Sequence, residues 1–251
     1  MIEMNIQRLG DMGFQVTEAI NTLATNLSFV GGTIKKILIT SCRPQEGKSF
    51  ISMSLMRALA GLGLKVILVD ADIRASAMQG SYAIHIDMPD GGRYRGLTGY
   101  LSGRCNINDI IARTNISGAH MILAGSTVTN SLPLFNTARF ETLLNELAQN
   151  YDIVLVDAPP VRTIIDAAKI ATWCDSTVFV VQSGANTAAE LREASSRIEK
   201  SGCPIAGYVL NKFDERKHGG GYYDRDNYYA NYEGRKKGKG KSSSAKGASG
   251  R

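Results

Sequence analysis

No stretch of this chain approaches the ~20 consecutive apolar residues that a helix needs to cross a bilayer, so work at a membrane requires something else to hold it there. Metal-ligand spacing is missing as well. The four cysteines, Cys42, Cys105, Cys174 and Cys203, lie far apart. With no signal-peptide pattern, they are expected to be reduced thiols of a cytoplasmic protein. Aliphatic side chains all but vanish from Arg216 onward, where Gly, Lys, Tyr and Ser dominate. Such a segment cannot bury enough apolar area to offset the entropy of ordering it, and alone it should be disordered. Acids are absent from residues 235–251, which carry seven basic side chains. Those seven exceed the formal net charge of +6 and leave the remainder at −1. The run is either a solvated end or a surface for an anionic membrane face, an acidic partner or nucleic acid.

What is present is a core. Apolar residues make up 43% of the 251, enough for one globular domain over residues 1–215, with residues 216–251 as a Tyr-rich, basic tail. Helical periodicity first shows at Thr17 to Phe29, through Ile20, Leu23, Ala24 and Leu27. An apolar strand at Lys36–Thr40 runs through a loop into a long helix that Gly63 ends. Further strands are expected at Lys65–Val69, Met121–Leu123, Asp152–Val156, Thr177–Val181 and Ile205–Leu210. Helices are expected at Thr137–Ala148, Ile164–Thr172 and from Thr187, whose spacing to Glu190 reads as a capping box, to Lys200. Residues 75–94 show no clear period. The alternation predicts an α/β fold, a mostly parallel sheet flanked by helices on both faces.

The loop from that strand into the long helix is Ser41, Cys42, Arg43, Pro44, Gln45, Glu46, Gly47, Lys48, Ser49, with Phe50 following. A turn feeding a helix N-terminus aims backbone N–H groups at one point, where the helix dipole also favours an anion. From Gly47 onward the pattern is that of a phosphate loop. Gly47 allows close backbone approach, Lys48 brings charge to the β and γ phosphates, and the Ser49 hydroxyl can ligate Mg²⁺. The first Gly of the pattern is replaced by Cys42, read as a small residue in a tight loop. These features point to a P-loop NTPase fold that takes ATP with Mg²⁺.

Ligands of a parallel sheet bind outside the carboxyl ends of its strands. Two apolar strands end there in acid, at Asp70-Ala-Asp72-Ile-Arg74 and at Asp157-Ala-Pro-Pro160. Asp70 and Asp157 can hold the metal directly or through water, or can be helix N-caps. Asp72 can support the metal or accept the proton of an incoming hydroxyl. Arg74 either neutralises developing charge or pairs with Asp72.

Together these stretches resemble the bacterial tyrosine kinase family that governs capsule and exopolysaccharide synthesis. The shared features are the Ser-x-x-Pro-x-Glu-Gly-Lys-Ser loop, the Asp-Ala-Asp-x-Arg segment, Gly96-Leu-x-x-Tyr-Leu101, Tyr151-Asp152, Asp157-x-Pro-Pro-Val161 and Val209-Leu-Asn211, across roughly residues 17–232. The resemblance implies autophosphorylation in trans on tail tyrosines and contact of Asn211 with adenine. It implies a membrane-embedded regulator of polysaccharide chain length as activator, which recruits the chain to the inner face of the membrane, and a cognate tyrosine phosphatase. Two departures stand out. Where the family carries Glu-x-x-Arg-x-x-Arg for ring assembly, this chain has Glu18, Asn21 and Ala24, and Thr129 to Phe135 replaces a Pro-Asn-Pro-x-Glu-Leu-Leu segment.

Of the ten tyrosines, Tyr222, Tyr223, Tyr228, Tyr229 and Tyr232 crowd the tail without aliphatic partners. Stacking on nucleic acid is one reading. Phosphate acceptance fits better, because the Gly219-Gly-Gly221 flank lets the segment reach an active site. From Tyr222 to the end the tail carries net +5, which five phosphates at roughly −1.5 to −2 each would reverse. The leading expectation is a protein-tyrosine kinase, with Lys48, Asp72 and Arg74 as catalytic candidates. The alternatives are a partition-type ATPase of the same fold and a scaffold with degraded catalysis.

Overall fold

A computed structural model describes residues 1–214 apart from 11, 31–33, 90 and 164. Its strands are β1 (Ile2–Ile6), β2 (Lys36–Ser41), β3 (Val66–Asp70), β4 (Ile84–Asp87), β5 (Ala112–Thr114), β6 (Ala119–Ile122), β7 (Ile153–Asp157), β8 (Ser176–Gln182) and β9 (Ile205–Asn211). They form one sheet in the order β4-β1-β5-β6-β3-β7-β2-β8-β9. Among the described residues, only β1 with β4 and β5 with β6 pair antiparallel. The other neighbours are parallel, as expected.

Alternate residues of the central strands feed two separate cores. Ile37 and Ile39 of β2, Val66 and Leu68 of β3, and Leu155 of β7 face α1 (Gly13–Val30) and α2 (Lys48–Gly61). Leu38, Ile67, Val69, Val154 and Val156 face the other way, toward α4 (Gly96–Leu101), α5 (Leu132–Phe135), α6 (Ala138–Asn150), α7 (Asp166–Ala171) and α8 (Ala188–Glu199). Every residue of β3 and β7 is buried, which is why both read as unbroken apolar runs. Each fully buried aliphatic side chain contributes roughly 1.5–3 kcal/mol. The sheet is therefore a rigid floor for whatever stands on its edge.

The stretch without a clear period contains a single helical turn, α3 (Met78–Ser81), and then β4. The first strand of the chain is not at Lys36 but at Ile2, and β5 was not expected either. In β1, Ile2, Met4 and Ile6 point inward and Glu3 and Asn5 outward, a strict period of two. The ring-assembly positions lie on α1, where Ala24 is fully buried in the core shared with α2. The Thr187–Glu190 capping box is present in both halves.

Candidate functional site

Because β3 and β7 are parallel neighbours in register, Asp70 lies opposite Asp157. Both are 1% exposed. β2 lies on the other side of β7, so the loop that leaves β2 arrives beside these acids. Its α2 end begins with Gly47 as N-cap in the left-handed region, φ 96°. A Cβ there would lie 2.0 Å from Asn211 Nδ2, so Gly47 is required by both conformation and space.

The loop is braced from the far end of the sheet. Asn211 Nδ2 donates to the Glu46 carbonyl at 2.8 Å, and Lys212 Nζ donates to the Gln45 carbonyl at 2.7 Å. Glu46 is 1% exposed. Its carboxylate accepts from the Arg43 backbone N–H at 2.8 Å and from the Asn186 side chain. Ser41 Oγ donates to the Arg43 carbonyl at 2.8 Å, Cys42 is fully buried and Phe50 packs on the core beneath α2. Pro44 and Gln45 are exposed at the tip. Glu190, read from the sequence only as a cap, also pairs with Arg43 and with Arg162. The Thr187 backbone N–H and these two guanidiniums hold its carboxyl down at about 2.

Lys48 Nζ reaches Asp72 Oδ2 at 3.0 Å, with side chains 13% and 9% exposed. Burial opposes the ammonium charge, but Asp157 and Asp72 outweigh it and leave the Lys48 pKa above its ordinary value. Ser49 Oγ donates to Asp157 Oδ2 at 2.6 Å and Ser52 Oγ to Asp157 Oδ1 at 3.1 Å. Burial pushes the Asp157 pKa up, against the pull of Lys48 and both hydroxyls. Asp70 accepts from the Ser76 hydroxyl and from the Asp72 N–H. Burial first, then the Asp157 charge, push its pKa to about 7. Neither acid is a helix N-cap: Gly47 caps α2, Ala77 caps α3 and Ile165 caps α7.

The structure decides against one of the two sequence readings of Arg74. It does not pair with Asp72. Its Nε donates to Asp166 Oδ2 at 3.0 Å and to Ser131 Oγ at 2.6 Å, and another guanidinium nitrogen donates to the Thr129 carbonyl at 2.9 Å. The reason is position: the chain turns after Asp72, so Arg74 meets α5 and α7 while Lys48 occupies Asp72. Sequence reasoning also missed Tyr82, whose hydroxyl donates to the Ser49 carbonyl at 3.4 Å. Burial, and then Asp157, raise the Tyr82 hydroxyl to about 12. The five tail tyrosines lie outside the described residues.

An AAA domain family model matches residues 34–200. The chain is 36% identical over 198 residues to the tyrosine-protein kinase CpsD of Streptococcus agalactiae, covering 79% of this chain and 84% of that one. It is 31% identical to the CpsD of Streptococcus pneumoniae, over 86% of this chain and 91% of the other. The chain belongs to the bacterial tyrosine-protein kinase family. The solved kinase domain of Escherichia coli tyrosine kinase Etk superposes with a TM-score of 0.73 at 30% identity, covering 83% of this chain and 79% of that domain. The family fold is the nucleotide-binding P-loop one. The loop fits such a ligand, because Gly47 supplies the left-handed turn at the N-terminus of α2 and Lys48 brings a cation to the acids beside it. The donors fit a hard divalent cation, which takes oxygen ligands and keeps several waters. No group of three or more His, Cys, Asp and Glu is poised to cage an ion among the described residues. No described helix is long and apolar enough to cross a membrane.

Proposed function

We propose that this chain is an ATP- and Mg²⁺-dependent protein-tyrosine kinase acting on Tyr222, Tyr223, Tyr228, Tyr229 and Tyr232 of another copy of itself. The observation that carries the reading is the 3.0 Å contact of Lys48 with Asp72, beside the buried pair Asp70 and Asp157. One cation and three carboxylates meet at the mouth of a phosphate loop.

In this reading the loop N–H groups and Lys48 hold the triphosphate. Lys48 exchanges Asp72 for a phosphate oxygen, and that exchange frees the carboxylate. Asp72 then orients the incoming tyrosine hydroxyl and accepts its proton as the oxygen takes the γ-phosphoryl group, the bond from the γ phosphorus to the bridging oxygen breaks and ADP leaves. A tyrosine hydroxyl titrates near 10 and is neutral at pH 7, so a positioned base helps. Ser49, Asp157 and Asp70 would hold Mg²⁺, whose charge offsets that of the phosphates. Asn211, already over Gly47, borders the nucleotide, as the resemblance to the family implies for adenine. Arg74 acts through Asp166 and Ser131, holding the turn that presents Asp72.

The membrane-embedded chain-length regulator as activator, the tyrosine phosphatase, recruitment to the inner membrane face and a role in capsule or exopolysaccharide synthesis are carried over from the family. Nucleic acid is not proposed as a partner. The test is incubation of the full chain with Mg-ATP, with and without the regulator, followed by mass-spectrometric mapping. Phosphotyrosine within 222–232 that disappears in Lys48→Ala is the expected result. Free phosphate without phosphotyrosine would replace the kinase by an ATPase.

A further inference from the structure

Beside the Asp72 turn lies a cleft of about 540 Å³ whose walls include Arg93, Arg95 and Arg104 and, among the described residues, no acid. The nucleotide reading gives these three no task. None of them takes part in an ion pair among the described residues. Arg95 donates to the Arg104 carbonyl at 2.8 Å, which ties two of the three cationic residues into one frame. A neighbouring cavity of about 550 Å³ shares all three and, among the described residues, adds a single acid, Asp109. Three cations beside one acid keep an excess of positive charge, which a bound anion relieves.

The cleft is joined to the kinase site through its own wall. Ser126, Val128, Asn130, Pro133 and Leu134 line it, and along this stretch the Val128 N–H donates to the Ile73 carbonyl at 3.1 Å while the Thr129 carbonyl accepts from Arg74. Tyr94, another wall residue, is close enough to Asp70 for that charge to add to the burial that raises its hydroxyl. The wall is not wholly polar. Val128, Pro133 and Leu134 offer an apolar side, and Ser126 and Thr98 offer hydroxyls. A cationic end with an apolar side suits a phosphorylated aromatic ring better than a bare anion.

We propose that this cleft binds a phosphotyrosine of the segment Tyr222–Glu233 from another copy of the chain. The segment carries three acids and one base, net −2, before any phosphate is added. Each phosphate adds roughly −1.5 to −2 and three acceptor oxygens that match guanidinium forks. A first phosphotyrosine held here would keep the next tyrosine of the same segment near Asp72, so modification of the cluster becomes sequential. The proposal rests on the tail being the kinase's substrate, but its test does not depend on that.

The test measures anisotropy of labelled synthetic peptides of residues 219–233, with phosphate on Tyr228 and Tyr229 or with none. They are added to full-length Lys48→Ala protein, which stays unmodified. The phosphopeptide is expected to bind at least tenfold tighter and to weaken with salt. Arg93→Gln with Arg104→Gln should abolish that difference in the same background, and in the wild-type background should leave nucleotide binding and the melting temperature unchanged, since both side chains are exposed. Equal affinity for the two peptides, or an unaltered preference in the double variant, overturns the proposal. So does competition by inorganic phosphate at the concentration at which phosphotyrosine competes, or tighter binding of RNA or an anionic polysaccharide. Phosphopeptide binding with no tail phosphorylation by the wild type would remove the kinase reading and leave the cleft.

Discussion

Asp70 and Asp157 stand opposite each other at the ends of two neighbouring parallel strands, each 1% exposed, with the Lys48 charge acting on both. Two buried carboxylates this close do not both ionise readily. The folded chain resolves the conflict by keeping Asp70 protonated up to about pH 7.

That proton gives the first prediction. Asp70 releases it near 7 when folded and near 3.8 when unfolded. Between those values the folded form binds the extra proton, so stability falls as pH rises from about 4 to about 7 and is level above. Asp157, also raised, adds to the same slope. Asp70→Asn should flatten the profile and stabilise the ligand-free protein at pH 8 by on the order of 4 kcal/mol. Urea midpoints at pH 5 and pH 8 measure this, and parallel profiles for the two proteins would discard it.

Gly47→Ala should lose nucleotide binding, because a Cβ at φ 96° meets Asn211 Nδ2 at 2.0 Å. The strain is about 1–3 kcal/mol. Adding Asn211→Ala removes the collision but not the backbone strain. Titration with a fluorescent ATP analogue should therefore show partial recovery in the double variant; none at all would mean that space is not the problem.

Arg74→Ala separates support from chemistry. The Asp166 side chain is 1% exposed and Arg74 is its cationic partner. Removing that partner should cost about 3–5 kcal/mol, read as a lower melting temperature. Asp166→Asn in the same chain should restore much of the stability and part of the activity. If Arg74→Ala instead retains its melting temperature and loses turnover, Arg74 touches the reaction directly.

Ser52→Ala leaves Asp157 Oδ1 without its 3.1 Å donor. The expected destabilisation is about 1–3 kcal/mol, with a smaller loss of activity than Ser49→Ala. Chemical denaturation together with phosphotyrosine yield decides it, and an order of activity loss that is reversed would shift the metal-holding role from Ser49 to Ser52.

The sequence made the site's acids legible because β3 and β7 are buried on both faces, so their apolar runs stop abruptly at Asp70 and Asp157. β1 escaped notice for the opposite reason: it is half exposed, and its alternation is short. For Arg74 the only pairing partner that proximity in sequence offers is Asp72, whereas its actual partner, Asp166, lies 92 residues away. Glu190 announced only its cap. Nothing local reveals that the same carboxylate also reaches Arg43, 147 residues earlier. Spacing reads elements and their ends well, but ion pairs between loops emerge only once the sheet order is known.

The brace on the phosphate loop also sets an order of events during synthesis. Glu46 is gripped by Asn186 and by Asn211, and Gln45 by Lys212, across separations of 140, 165 and 167 residues. A ribosome that has released the chain only as far as β7 has made every acidic ligand, but none of the residues that fix the loop's tip. Nucleotide grip should therefore arrive late, when β9 takes its place at the sheet's edge, rather than when the loop itself emerges.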